Sequence, residues 1–182
     1  MKKTVIGAAL VAAAAFATPA TAQEAAPGAH PYVGVQVGYH DLGLDADDFA
    51  PLDIDDSALI YGAYLGVDFD VGTAMVIGGE ANFNLGNGPI DSEYGAAARI
   101  GYRAANGTII YVRGGYQWVN FDVQGLTGVA NPPAGLDDTD GDFLVGIGAD
   151  IAMGDSPARI RIGVDTVSFD TLRATAGVNF AF

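Results

Sequence analysis

Cysteine is absent from this 182-residue chain, which excludes a disulfide framework and any thiolate metal site. Lysine is nearly absent: Lys2 and Lys3 are the only two, and both stand at the extreme N-terminus. From Gln23 onward the basic side chains are six arginines against 22 acids, a formal charge of 6 − 22 = −16. A surface of that sign repels a phosphate backbone, so no nucleic-acid partner is expected. Histidine is limited to His30 and His40. Also missing is an uninterrupted apolar run of the ~20 residues that a spanning helix requires.

What is present begins with a short targeting pattern. Lys2 and Lys3 form a positive start, Val5 to Ala17 is apolar, and Ala20-Thr21-Ala22 has the small-x-small form of a cleavage site. This predicts a secretory signal peptide over residues 1–22. The Ala-, Pro- and Gly-containing stretch 23–31 reads as a flexible lead, and 32–182 as one domain, with no further domain expected beyond Phe182.

Half of all residues are hydrophobic and 26 are glycine, and from Tyr32 onward the apolar ones fall on alternate positions, the two-residue period of strands. Eight such segments are predicted: Tyr32 to Tyr39, Ala58 to Phe69, Ala74 to Leu85, Glu93 to Arg103, Ile109 to Val119, Phe143 to Met153, Arg159 to Thr166 and Leu172 to Phe182. In the seventh, Ile160, Ile162 and Val164 share one face, while Arg159, Arg161, Gly163 and Asp165 share the other. The same division holds in each segment: one face apolar, the other Gly, Asn, Gln, Thr and charge.

A soluble sandwich also alternates. Three features favour a membrane barrel instead. Charges on the polar face are few and mixed with glycine, as in a narrow, crowded lumen. Connections alternate between tight turns (70–73, 104–108, 154–157) and generally longer, acidic segments (40–57, 86–92, 120–142, 168–171), the outer-membrane arrangement. Apolar-face aromatics fall at the strand ends. Tyr39, Tyr61, Phe83, Tyr94, Tyr116, Trp118 and Phe143 are expected near the long-loop end, and Phe69, Tyr102, Phe180 and Phe182 near the short-turn end. Two aromatic girdles around an aliphatic waist suit a lipid-facing wall. The expected fold is all-β: a closed eight-stranded antiparallel up-and-down transmembrane β-barrel behind a cleavable signal peptide, placed in the outer membrane of a Gram-negative cell.

With that signal, those strands and the terminal Phe182, the chain resembles the small eight-stranded outer-membrane barrels of the OmpA transmembrane domain and OmpX/opacity type. The resemblance implies that Phe182, Phe180 and Val178 form the terminal signal read by the barrel-assembly machinery, with Ala176 and Ala174 continuing the pattern. It also implies a lumen filled by a polar plug.

Seven residues are the candidates for that lumen: Glu80, Arg99, Arg113, Asp150, Arg161, Asp165 and Arg173. Regular hairpins would set Glu80 opposite Arg99, Arg99 opposite Arg113, Asp150 opposite Arg161 and Asp165 opposite Arg173. Unpaired charge in such a space is costly, so ion pairing is expected. An eight-stranded barrel is narrow enough for side chains to fill it, which favours a structural or surface-interaction role over a small pore for ions or solutes. Asp138, Asp140, Gly141 and Asp142 resemble a calcium loop but depart from its pattern at the first and twelfth positions, so a solvated acidic loop is expected. The run Asp45, Asp47, Asp48, Asp53, Asp55 and Asp56 is read the same way, with divalent cations bridging such loops at most loosely. His40, beside Asp41, is expected to be solvated at the rim. A lipid-modifying or proteolytic enzyme would need a nucleophile at that histidine, and only Ser57 or Ser92 could meet it across the rim. No catalytic, metal or cofactor residues are therefore assigned, and a monomer is expected.

Overall fold

The computed structural model describes residues 28–43, 57–121 and 139–182. The expected signal and most of the lead, the Asp45–Asp56 run and Asp138 lie outside the described residues. The eight strands are β1 Ala29–Asp41, β2 Ser57–Val71, β3 Met75–Gly86, β4 Ile90–Arg103, β5 Ile109–Phe121, β6 Thr139–Ala152, β7 Ala158–Val167 and β8 Leu172–Ala181. Each pairs antiparallel with its sequence neighbours, and β1 pairs with β8, closing the sheet into a barrel. Closure leaves no sheet edge, so every strand finds its backbone partners within the wall.

The period-two pattern is realised throughout. Outward side chains form an exposed apolar belt, with Ile147 at 63% and Leu65 at 62% exposure. The predicted girdle aromatics stand at its two ends. Phe83, Tyr94, Trp118 and Phe143 stand toward the loops, and Phe69, Tyr102, Phe180 and Phe182 toward the turns; all eight are exposed. Among the described residues no helix is long and apolar enough to cross a membrane; here strands do the crossing. The three short turns each contain one glycine at positive φ, Gly72 (67°), Gly107 (83°) and Gly154 (62°), the left-handed geometry such reversals demand.

Several strands run further than the alternation alone indicates. β1 starts at Ala29 rather than Tyr32, with Pro31 paired to Val67. β4 starts at Ile90 rather than Glu93, and β6 at Thr139 rather than Phe143. Asp140 and Asp142 therefore belong to strand β6, paired with Val119 and Gln117 of β5, and not to a loop. Between them Gly141 leaves room for the Trp118 and Tyr116 rings, which pack over the space a side chain there would occupy. Apolar residues also appear on the inner face at both ends. Leu42, Ala58, Ile60, Ile90 and Val119 cluster at the loop end, and Val76, Ile109 and Tyr111 at the turn end. The inner wall between these two clusters is polar.

Candidate functional site

The site is the barrel lumen, and strand parity builds it. Of the residues that point inward, Arg99, Arg113, Arg161, Arg173, Asp68, Glu80, Glu93, Asp150 and Asp165 are each no more than 6% exposed. They form one continuous ion-paired network. Arg99 donates through Nε to Asp68 at 2.7 Å and through Nη1 to Asp150 at 2.9 Å. Asp150 also accepts from Arg161 Nε at 2.7 Å, and Arg161 reaches Glu80. Glu80 accepts from Arg113 at 2.6 Å. Arg113 in turn forks onto both oxygens of Asp165 at 2.7 and 2.6 Å. Arg173 links Asp165 (3.1 Å) to Glu93 (2.6 Å).

Burying so many ions is unfavourable unless geometry and partners are good. Three features offset that cost. Forked contacts supply charge-assisted bonds in pairs. Tyr32 donates its hydroxyl to Glu80 at 2.8 Å. Ring faces take up guanidinium charge, with Arg161 4.1 Å from the Tyr64 centroid and Arg99 4.4 Å from that of Tyr32, the cation–π arrangement. The network holds five carboxylates and four guanidiniums. Above it lies an amide layer in which Gln36 donates to Asn84 at 2.9 Å and Asn84 to Glu93 at 2.9 Å.

All seven lumen candidates lie in this network. Arg99 stands opposite Arg113, Asp150 opposite Arg161 and Asp165 opposite Arg173, as the hairpin spacing indicates. Glu80 does not stand opposite Arg99; it faces Ala97, and Arg99 faces Gly78. The tight turn at residues 87–89, with Gly88 at φ 70°, centres the β3–β4 hairpin one residue earlier than a regular 86–92 loop would. The carboxylate still comes within 3.8 Å of Arg99, but its shorter contacts are to Arg113 and Arg161.

His40 is not solvated. It is fully buried, with Nδ1 2.8 Å from Glu93 and Nε2 3.2 Å from the Thr171 hydroxyl. Asp41, one residue on, takes the opposite face. Neither serine considered as its partner is the hydroxyl it meets: Ser57 stands opposite Asp41, and Ser92 accepts from Asn120 at 2.9 Å. Asp68, Glu93 and the ring partners Tyr32, Tyr64 and Tyr111 were absent from the predicted site, although all sit at inward parity. Phe182, Phe180 and Val178 point outward at 62%, 47% and 37% exposure, and Phe182 donates its backbone N–H to Pro31 at 2.9 Å.

A family model for the outer membrane protein beta-barrel domain matches residues 8–182. No curated protein matches the chain. Among solved structures, Ail, the attachment invasion locus protein of Yersinia pestis, aligns with a TM-score of 0.53 and 13% identity over 85% of this chain and 97% of Ail. The same protein in complex with the heparin analogue sucrose octasulfate gives a TM-score of 0.51 at 11% identity, with the same coverage of both chains. Neisserial surface protein A gives 0.50 at 11%, again over 85% of this chain and 97% of that one. At these identities the likeness is one of fold.

Proposed function

We propose that this chain, which belongs to the outer-membrane protein β-barrel family, is a closed, non-conducting barrel that displays acidic loops at the cell surface. It lies in the outer membrane with its apolar belt against lipid. The observation that carries the closed reading is the ion-paired network across the lumen, flanked by an apolar cluster at each end. Planar-bilayer recording tests it. Purified protein should give no steady conductance above the bare bilayer. Sustained, reproducible steps would favour the alternative, a small pore.

The surface role rests on charge. Residues 42–56, 87–89, 122–138 and 168–171 contain no lysine or arginine, and all six arginines sit in strands at inward parity. Ail has been solved with a polysulfated heparin analogue; the loops of this chain lack the cations such a ligand needs, and a basic or neutral partner suits them better. We read the remaining features in the same frame. Residues 1–22 direct export and are removed, the strand ending at Val178, Phe180 and Phe182 is read by the barrel-assembly machinery, divalent cations bridge the loops at most loosely, and the barrel is a monomer. No catalysis is assigned. His40, Glu93 and Thr171 stand in the order of a triad, yet the Thr171 hydroxyl is engaged with the Val167 backbone at 3.2 and 3.3 Å, and Glu93 is held by Arg173.

A further inference from the structure

We infer that the short-turn mouth of the barrel binds an oxyanion, a carboxylate or a phosphate, through Arg159. Five of the six arginines have a carboxylate within 4.0 Å; among the described residues Arg159 has none. It lies at the start of β7 with its neighbours Asn179 and Ala152 offering no charge, and it is half-buried. Beside it Arg103 and His30 share a single carboxylate, Asp70, at 2.7 and 2.9 Å. These groups, with Arg99, Asp68 and Asp150 beneath them, line a shallow open recess of about 10 Å³, room for about one water molecule.

The charge balance along the lumen points the same way. The network above carries five carboxylates against four guanidiniums, whereas the mouth carries Arg103 and Arg159 against Asp70. The two groups together balance, and the one excess cation stands at the end that faces the periplasm. Low-dielectric walls concentrate its field toward the opening. A guanidinium is a planar fork matched to two oxygens of one group, and half-burial without a partner disfavours the bare ion. Tyr32 and Asp68 below close the recess, so an oxyanion sits at its mouth rather than passing into the lumen. Two sources of that chemistry reach this end: a free oxyanion in the periplasm, and the chain's own Glu24, four residues before Gly28 and able to extend about 14 Å from it.

The test uses the full-length mature chain refolded in maltoside micelles, which carry no phosphate of their own, and follows the Arg159 Nε resonance, or that of Arg103 in the R159Q variant, while inorganic phosphate is added at constant ionic strength. A saturable shift is expected. R159Q should weaken phosphate binding about tenfold or more, the scale of a lost charge-assisted pair, with its unboiled gel mobility unchanged. R103Q should weaken it less, because Asp70 already occupies Arg103. If phosphate binds only once Glu24→Gln is introduced, the site stands and Glu24 is its resident oxyanion. No saturable shift in either the parent or the Glu24→Gln protein would overturn the inference, as would equal phosphate binding by R159Q. Because the resonance reports from the unmutated protein, the result does not depend on the variant folding.

Discussion

The two walls of this barrel use the same strands under different rules. Along β7, Ile160, Ile162 and Val164 face outward at 41%, 49% and 44% exposure, while Arg161 and Asp165, at the alternate positions, are each 1% exposed. The outer wall asks only that a side chain be apolar, because lipid offers no partner to match. The inner wall asks for a particular partner at a particular height, since each buried ion is stable only beside its counterion. Tolerance to substitution should differ accordingly: broad within the apolar class outside, narrow inside, and sensitive there to register.

The inner wall breaks most severely at Glu80, which stands among Arg99, Arg113 and Arg161. Glu80→Ala leaves three guanidiniums without their shared carboxylate. Loss of one partner from a buried pair costs about 3–5 kcal/mol in soluble proteins. Urea unfolding from lipid vesicles should show a midpoint lowered in that proportion, and Glu80→Gln should fall between Ala and the parent. An unchanged midpoint for Glu80→Ala would mean that lumen water takes the carboxylate's place and that the inner wall is no more demanding than the outer.

The outer wall has its own forbidden substitution. Ile147 lies mid-strand in β6 at 63% exposure, and a cation at the bilayer midplane of such a barrel costs about 2–4 kcal/mol. Ile147→Arg should lower the unfolding midpoint by that order, and Ile147→Leu should leave it nearly unmoved. Equal midpoints for Arg and Leu would remove Ile147 from the lipid belt and with it the asymmetry between the walls.

The legibility of the two walls from sequence follows the same division. Parity alone identifies the outer wall, because Val33 to Tyr39 or Ile160 to Val164 need only be apolar at every second place. Parity also assigned the seven lumen candidates to the inner face. Partnership was harder, because it depends on hairpin centres. The turns at 104–108 and 154–157 place Arg99 against Arg113 and Asp150 against Arg161, but the turn at 87–89 closes one residue early and moves Glu80 from Arg99 to Ala97. Asp68 and Glu93 had the right parity but no hairpin partner of opposite charge, since their arginines come from strands across the lumen: β4 for Asp68 and β8 for Glu93. His40 failed for the same reason. It is buried by Glu93 and Thr171, which lie 53 and 131 residues away, and no local pattern signals such contacts.

The smallest effects give the finest resolution of the inner wall, at two glycines on neighbouring strands. At Gly146 of β6 an added methyl would overlap the carboxylate of Asp165 and lie 2.9 Å from the Val164 carbonyl. Asp165 cannot move aside without releasing Arg113 and Arg173, so Gly146→Ala should cost about 1–3 kcal/mol, the usual scale of overpacking. At Gly163 of β7 the same methyl meets only the Thr175 hydroxyl at 3.3 Å and the Ile147 carbonyl at 3.6 Å. No positive φ holds that position to glycine, and among the described residues the Thr175 hydroxyl has no hydrogen-bond partner to lose. Alanine also restricts the unfolded chain more than glycine does, a gain of about 0.4–1 kcal/mol where the backbone accepts it. Gly163→Ala should therefore leave the urea midpoint unchanged or raise it slightly, while Gly146→Ala lowers it. Equal losses at both positions would mean that the lumen is packed uniformly tight. Equal tolerance would mean that the Asp165 carboxylate is free to shift, and that the partnership rule for the inner wall is looser than its ion pairs imply.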